Sequence, residues 1–377
     1  MEMENKSSVS IKTLFMVGGA YASYTIGAGF ATGQEVLQFF GSWGSPYEWL
    51  TVLVSMVMTI YFTSSCYKTG QHQQFDKASD CYTYYCGKYV GYFFDAFILL
   101  LVFGIFVVMF AGSGATIEQY FGINGIIGSV IMGLCSGATV FFGLKSVERV
   151  LGFLGVVIIF YVVIIGIYAV ITKGLNLPEA TASLSTYVAE GTVLQAGVFG
   201  IYNWFLSAMT YGGVCLIVSV PFLISLGKST KNQKEALASG VFSGVFFHAG
   251  VLLVLFAILL NLDYIVESGA QVPTLAAMSA MIPGLAWSFA IILVLGIFTT
   301  VTGYLWLLSG RFAEDKSTKS RIITVALVVL GIFGGTLLPF GQLVNILYPF
   351  AGFVGIIFML FIIAKDIRVS TSKKADA

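Results

Sequence analysis

The sequence predicts an all-α integral membrane protein with ten transmembrane helices. Hydrophobic residues make up 58% of the chain and charged residues only 10%, whereas about a quarter of a soluble domain is charged. The apolar residues form long continuous runs, such as the one near 89–114. Strands of a membrane β-barrel would instead show alternating segments of about ten residues. Helices are therefore expected, with lipid as the solvent for most of the chain.

Ten apolar runs are long enough to cross a bilayer, which requires about 20 residues in a helix. They lie near 11–41, 46–68, 89–114, 123–143 and 148–172, and then near 194–226, 235–261, 282–309, 320–337 and 340–364. A mixed stretch from Lys173 to about Val193 separates the two groups of five.

The basic residues predict the orientation, because Lys and Arg collect on the cytoplasmic side of membrane helices. With both termini in the cytoplasm, all but one of the 19 Lys and Arg residues fall in cytoplasmic segments. The exception is Lys173. A missed or an extra span would destroy this partition, so the distribution supports ten helices as well as the orientation.

Glycine clusters interrupt two of the longest runs, at Thr25–Phe30 in the first and at Thr210–Gly213 in the sixth. Interrupted helices at matching places in two halves indicate an inverted repeat with a binding site near the membrane midplane. The predicted repeats are 11–172 and 194–364, followed by a cytoplasmic tail, 365–377. The alternative for each cluster taken singly is a close packing contact between helices.

Several classes of protein are excluded by composition and motifs. The net charge of +1 and the absence of a basic face give no indication of nucleic-acid binding. The five cysteines lack zinc-ligand spacing and are expected to be reduced thiols. No Walker A, His-Glu-x-x-His or Gly-x-Ser-x-Gly motif is present. We therefore expect neither an enzyme nor an organic cofactor, and the acidic N-terminus without a cleavage site predicts no removable signal peptide.

Two stretches resemble a known transporter family. The broken first run at Ile26–Phe30 and the Gly296-Ile-Phe-Thr-Thr300 stretch in the eighth run resemble the LeuT-type fold of the amino acid/polyamine/organocation superfamily. The stretch from Gly27 to Phe40 looks more closely like the YkvI-like bacterial membrane proteins of that grouping. The resemblance implies a 5+5 inverted repeat with broken helices 1 and 6, in the bacterial cell membrane.

The same resemblance implies a sodium site between the first and eighth helices. Its ligands would be the carbonyls of Ser23, Ile26 and Gly296 and the hydroxyls of Thr299 and Thr300. Hard oxygen ligands without a carboxylate suit a monovalent cation better than calcium. The alternative is that the two threonines only form hydrogen bonds with their own helix backbone.

A substrate site is expected at the first break, where the amides of Gly27 to Phe30 would face the broken sixth helix. The predicted substrate contacts are Thr25, Gly27, Ala28, Gly29, Phe30, Phe103, Phe205, Ser207, Met209, Thr210 and Tyr211. No Lys or Arg lies in the middle of a run, which favours a small zwitterion over a dianion. Ordinary helix packing is the alternative for each aromatic residue.

Three ionisable residues lie within the runs, where burial in lipid makes them functional candidates. Glu35 is a candidate for a gate, for a site that binds a substrate ammonium group, or for a proton carrier, with a hydrogen-bonded structural carboxyl as the alternative. Asp95 is expected to reach the inner interface, and His248 to be a neutral packed histidine. The outer loop 263–281 is a candidate lid over the vestibule.

Together, these features predict a sodium-coupled symporter that carries a small amino acid or an amino-acid-like solute by alternating access. One alternative is a proton-coupled permease with Glu35 as the proton carrier. Another is a membrane receptor subunit that senses an amino acid without transporting it. Sodium dependence of uptake separates the first two, and binding without accumulation would indicate the third.

Overall fold

The computed structural model describes residues 9–26, 28–73, 75, 80–142, 147–314 and 317–375. Over these residues the regular structure is helical, and the β-structure is limited to an isolated bridge between Val198 and Ile201. The helices are α1 Ile11–Thr25, α2 Ala28–Ala31, α3 Gln34–Phe39, α4 Tyr47–His72, α5 Asp80–Cys86, α6 Lys88–Phe121, α7 Gly125–Phe142, α8 Val147–Lys173, α9 Leu177–Ala180, α10 Leu184–Ala189, α11 Trp204–Ile217, α12 Val220–Gly227, α13 Gln233–Leu259, α14 Leu262–Glu267, α15 Pro273–Met281, α16 Pro283–Gly310, α17 Thr318–Gly335 and α18 Phe340–Ala375.

The helices are long and apolar enough for a multi-pass membrane protein. In the described part of the chain, seven segments could cross a bilayer by length and composition, and they belong to α4, α6, α8, α13, α16, α17 and α18. The pair α11 and α12, bent by 64°, gives an eighth if it is one span. The first predicted run is divided into α1, α2 and α3, and the fourth contains the shorter apolar helix α7.

Side-chain contacts identify the two ends of the helix bundle. At one end, Arg311 forms an ion pair with Asp95, which joins the end of α16 to the beginning of α6. We call this the basic end. At the other end, the Lys173 ammonium group donates a hydrogen bond of 2.8 Å to the side chain of Asn261, which joins the ends of α8 and α13. We call this the opposite end.

The first predicted run is interrupted as expected. α1 ends at Thr25, and the Ile26 N–H donates to the Ala22 carbonyl at 2.6 Å. α2 begins at Ala28, whereas Gly27 itself lies outside the described residues. A second interruption follows at Gly33, whose φ of +79° is a left-handed conformation that favours glycine. The chain therefore turns twice between α1 and α3.

The predicted break at Thr210–Gly213 is wrong, because α11 is continuous from Trp204 to Ile217. The bend comes later, between Ile217 and Val220. Its cause is Pro221, which lacks an N–H and whose ring would clash with the carbonyl four residues earlier in a continued helix. The sixth run is therefore broken, but the bend comes about seven residues, or roughly two helical turns, later in the chain than expected.

The glycines of α11 serve helix packing instead. A Cβ atom on Gly213 would overlap the carbonyl group of Gly352 in α18, and a Cβ on Gly352 would overlap the carbonyl group of Thr210. Only residues without side chains allow two helix backbones to approach so closely. The packing interpretation of this glycine cluster is therefore the correct one.

The predicted lid segment folds into two short helices, α14 and α15, and α15 packs over the hinge at Gly33. The Thr274 N–H donates to the Thr32 carbonyl at 3.1 Å, and the Thr274 hydroxyl donates to the Ala31 carbonyl. Seven residues of α15 are buried, among them Leu275 and Met278. This segment is thus an integral cover of the hinge between α2 and α3.

Candidate functional site

A cavity of about 100 Å³ lies beside α2, inside the bundle. Its walls come from α1, α2, α3, α6, α11, α16 and α18, together with the bend after α11. The lining residues are Tyr24, Thr25, Gly29, Phe30, Glu35, Ile105, Met109, Val214, Cys215, Val218, Thr300, Tyr304 and Tyr348. We call it the central cavity. Both interrupted helices, α1/α2 and α11/α12, border it.

Glu35 supplies the only acidic side chain among the residues that line the central cavity, and it is 7% exposed. Its carboxyl group lies beside the hydroxyl of Tyr348. A Cβ atom on Gly29 would lie 2.5 Å from Oε1 of Glu35 and 2.9 Å from the hydroxyl of Tyr348. Gly29 therefore allows both groups to approach the backbone of α2. The lining residues include no Lys, Arg or His to neutralise the carboxylate.

A second cavity, of about 240 Å³, lies farther toward the opposite end. We call it the outer cavity. Gln34 and Gln38, four residues apart and so on one face of α3, both line it. Glu35 lines the central cavity instead. The short helix α3 thus forms part of the wall between the two cavities.

Side-chain amides close the wall around Gln38. Its Nε2 group donates to the Gly341 carbonyl at 2.8 Å. The Asn345 amide donates to Oε1 of Gln38 at 3.1 Å and to the Gln195 carbonyl at 2.9 Å. The Ala196 N–H donates to the Gln38 carbonyl at 3.0 Å. These uncharged groups, which we call the amide network, join α3, α18 and the segment before α11.

Three of the predicted substrate residues, Thr25, Gly29 and Phe30, line the central cavity. Gly27 lies outside the described residues, and Ala28 begins α2. These positions place the cavity at the first break, where the substrate site was expected.

The predicted contacts in the third and sixth runs do not line this cavity. Phe205 is 49% exposed, and the Phe103 ring packs near that of Phe106. The Ser207 hydroxyl donates to the Phe39 carbonyl at 2.8 Å, and the ring of Tyr211 packs against Phe40.

The Thr210 hydroxyl donates to the Leu206 carbonyl of its own helix at 3.0 Å. Met209, on the same helix, is partly buried. The side of α11 that reaches the cavity is that of Val214 and Cys215. The physical reason is the late bend, which keeps residues 204–213 in a continuous packed helix.

The predicted sodium ligands are only partly brought together. The hydroxyls of Thr299 and Thr300 both donate to the Gly296 carbonyl, at 2.7 and 3.1 Å. Thr300 also lines the central cavity, as Thr25 does, whereas Thr299 is buried. Ser23 and Ile26 lie at the end of α1, outside the cavity lining.

The other ionisable residues have structural partners. Asp95 pairs with Arg311 at the basic end, and its expected place at the inner membrane interface stays a prediction. His248 is fully buried, with Nδ1 2.9 Å from the Gly244 carbonyl and Nε2 3.0 Å from the Ser55 hydroxyl. Because a carbonyl only accepts, Nδ1 carries a proton, and in a neutral ring Nε2 accepts from Ser55. His248 is thus packed and hydrogen-bonded, as the sequence predicts, and its neutral state stays a prediction.

Eight of the thirteen residues that line the cavity were not found by sequence reasoning, namely Tyr24, Ile105, Met109, Val214, Cys215, Val218, Tyr304 and Tyr348. Each is an apolar or aromatic residue in an apolar run, and no motif marks it. Tyr348 is brought to Glu35 only by the packing of α18 across the bundle. One signal was available, since Tyr304 follows Thr300 by one helical turn and so shares its face.

No family model matches the chain. Over 351 residues it is 23% identical to the uncharacterized membrane protein YkvI of Bacillus subtilis strain 168, and this alignment covers 92% of this chain and 94% of YkvI. It is 26% identical over 341 residues to the uncharacterized protein YyaD of the same strain, covering 88% of this chain and 90% of that one. The expected similarity to YkvI is thus confirmed. The chain is a multi-pass membrane protein.

Among solved structures, the chain is similar to a manganese transporter of Eremococcus coleocola. A crystal structure of a mutant of that transporter gives 16% identity and a TM-score of 0.46, over 97% of this chain and 75% of the transporter. A complex of the transporter with an aromatic bis-isothiourea substituted compound gives 16% identity and a TM-score of 0.47, and the match covers 95% of this chain and 74% of the transporter.

Proposed function

We propose that this protein is a secondary transporter that carries a small amino-acid-like solute by alternating access, driven by an ion gradient. The observation that carries the proposal is the central cavity bordered by two interrupted helices. Interrupted helices at the midplane are the usual construction of a transporter substrate site. Irregular backbone is tolerated at that depth where it lines a cavity.

The wall around α3 supports the alternating-access part of the proposal. A transporter of this kind needs a barrier that opens on one side of the substrate site while the other side is closed. The amide network between the central and outer cavities provides such a barrier at the opposite end. It is built from hydrogen bonds between neutral groups, which can separate without exposing an unpaired charge.

The proposed topology has ten spans, two inverted five-helix repeats at 11–172 and 194–364, and both termini in the cytoplasm of a bacterial cell. Supporting it, Arg311 and Lys173, which the partition of basic residues assigns to different sides of the membrane, lie at different ends of the helix bundle.

Sodium is the proposed coupling ion, at Ser23, Ile26, Gly296, Thr299 and Thr300. The support from the structure is that Thr300 lies at the cavity and beside the carbonyl of Gly296. The hydroxyl oxygens of both threonines donate their protons to the helix and keep lone pairs for a cation. Replacement of both threonines by alanine is expected to raise the sodium concentration that half-maximal binding requires.

Proton coupling through Glu35 is the second candidate, and the buried position of this carboxyl group favours it. The side chain lines the cavity without a basic residue among the lining groups. It can therefore be neutralised there by a proton, by sodium or by a cationic ligand.

Thermal stabilisation of the purified protein tests these candidates, because a ligand of the native state raises its apparent stability. We would compare amino acids in sodium and in potassium, and then over a range of pH. Sodium-dependent stabilisation that weakens in the Thr299→Ala, Thr300→Ala variant supports the symporter. Stabilisation that ignores sodium, follows pH and vanishes in Glu35→Gln would assign a role to Glu35, and solute uptake driven by a proton gradient then distinguishes proton coupling from a role of Glu35 in binding alone. Specific binding without accumulation in vesicles would indicate a sensor.

A further inference from the structure

Five hydroxyl groups line the central cavity, and most of them already donate their proton to the protein. Thr25 donates to the Tyr21 carbonyl at 2.8 Å, and Thr300 donates to the Gly296 carbonyl at 3.1 Å. A hydroxyl has one proton and two lone pairs. Each of these threonines therefore presents only acceptor lone pairs to a ligand in the cavity.

Two tyrosines follow the same pattern. The Tyr24 hydroxyl donates to the Val218 carbonyl at 2.9 Å. The Tyr348 hydroxyl lies beside the Glu35 carboxyl group, which accepts its proton when ionised. Tyr304 carries the fifth hydroxyl. The polar part of the cavity wall is therefore dominated by acceptors.

The carboxylate of Glu35 strengthens this asymmetry. An ionised carboxylate accepts hydrogen bonds and donates none. Its burial is costly unless a positive charge or hydrogen-bond donors compensate it. Since the cavity lining includes no basic side chain, a ligand with positive charge and several N–H donors would satisfy the site.

Four of the thirteen residues that line the cavity are aromatic. Tyr24, Phe30, Tyr304 and Tyr348 all line the cavity, and aromatic rings attract cations by their electron-rich faces. They cannot replace the oxygen ligands that a bare metal ion requires, so they favour an organic ammonium group over sodium at this position.

The carboxylate end of an amino acid has less support. α2 has only four residues, so its macrodipole is small. A carboxylate placed in the cavity would also face the negative charge of Glu35. The ammonium end is therefore the part of a zwitterion that the cavity is built to hold.

From these contacts we infer that the central cavity recognises a protonated primary amine, with Glu35 as its counter-ion and the lone pairs of Thr25, Thr300 and Tyr348 as further acceptors. The inference rests on the proposed function and narrows its substrate class. Solutes with an amine and no carboxylate bind, and carboxylates without an amine do not.

Four probes of similar size test this inference on the full-length purified protein. They are L-alanine, 1-aminopropane, propionate and propionamide, each measured by thermal stabilisation at neutral pH, once in sodium buffer and once in potassium buffer. They present a zwitterion, a cation, an anion and a neutral amide. At about 10 mM, roughly tenfold above the usual range of Michaelis constants, L-alanine and 1-aminopropane raise the melting temperature and the other two do not.

Two variants locate the effect. Glu35→Gln weakens binding of both amines at least about tenfold, the loss expected for charge-assisted hydrogen bonds. Glu118→Gln, which removes an exposed carboxyl group at the opposite end, leaves binding unchanged. If Glu35→Gln does not fold, Tyr348→Phe replaces it. This variant keeps the ring and weakens binding of both amines by a smaller factor.

Three results overturn the inference. They are stabilisation by propionate or propionamide in place of the amines, no stabilisation by either amine, and Glu35-dependent stabilisation by sodium alone. The first leaves a solute site and thus the proposed transporter intact. The transporter itself is judged separately, by accumulation of solute in vesicles.

Discussion

Asn345 donates a hydrogen bond of 3.1 Å to the side chain of Gln38, and this contact joins α18 to α3 between the two cavities. The same amide group donates to the Gln195 carbonyl. Both residues are uncharged, so the closed barrier is held by hydrogen bonds of modest strength, about 1 kcal/mol each. Such a barrier is strong enough to favour closure and weak enough to open.

Asn345→Ala is therefore expected to favour opening of the barrier, by about 1–3 kcal/mol for the loss of two hydrogen bonds and the unpaired groups that remain. Hydrogen exchange of the Ala196 amide, which donates to the Gln38 carbonyl, measures this opening. Gln342→Ala is the matched control, because Gln342 lines the outer cavity beside the amide network without belonging to it. Equal exchange in both variants would show that the network does not hold the barrier.

Gly213 fixes the packing of α11 against α18. Gly213→Ala places a methyl group against the backbone of Gly352, and overpacking of this kind costs about 1–3 kcal/mol or more. The variant is expected to melt below the wild type in detergent. Gly303→Ala is the control, since a Cβ on Gly303 in α16 meets nothing within 4 Å and alanine favours a helix. Similar melting of the two variants would contradict the close approach.

Gly33 combines a left-handed backbone with a crowded surface. Its φ is +79°, and a Cβ there would lie 2.6 Å from Cγ2 of Thr274. Gly33→Ala is expected to lower the free energy of unfolding by about 1–2 kcal/mol because alanine disfavours the left-handed conformation. The clash between the new methyl group and Thr274 lowers it further. Thr274→Ser removes that methyl group and keeps the hydroxyl.

A double-mutant cycle of unfolding free energies separates the two costs. We expect Gly33→Ala to be less damaging in the Thr274→Ser background, with a coupling of about 1 kcal/mol. Strict additivity would mean that α15 does not press on the hinge.

Ser55 supports the buried ring of His248 by donating to Nε2. Ser55→Ala leaves this nitrogen without a donor, which costs about 1–3 kcal/mol for a buried unsatisfied group. Ser239→Ala is the control, because the Ser239 hydroxyl is buried without a hydrogen-bond partner among the described residues. The first variant should lower the melting temperature and the second should not. The reverse order would mean that His248 does not depend on Ser55.

The helical class and the first break could be predicted because their causes are local. Apolar composition determines which segments enter lipid, and glycines permit an interruption close to Ile26. The break in the sixth run was misplaced because glycine has two uses in a membrane helix. Gly213 meets a neighbouring backbone, and that neighbour, Gly352, is distant in the sequence. Pro221 was the better local signal for the bend, since proline removes a helix hydrogen bond.

The candidate site was predicted where it depends on the first run and missed where it depends on long-range packing. Glu35 was singled out because a carboxyl group in an apolar run is unusual. Its partner Tyr348 is one of 19 tyrosines, and only the arrangement of α18 against α3 and α6 selects it. The Thr299 and Thr300 pair shows hydrogen bonds to Gly296, while its role as a sodium site stays a prediction.

Uptake by purified protein in sealed vesicles tests the central claim most directly. Radiolabelled L-alanine would be supplied outside, with an inward sodium gradient, an inward proton gradient or neither. The account predicts accumulation above the outside concentration under one of the two gradients, collapsing when that gradient is dissipated and absent in Glu35→Gln. Binding of L-alanine without accumulation under either gradient would contradict it and would indicate a receptor that senses the solute instead.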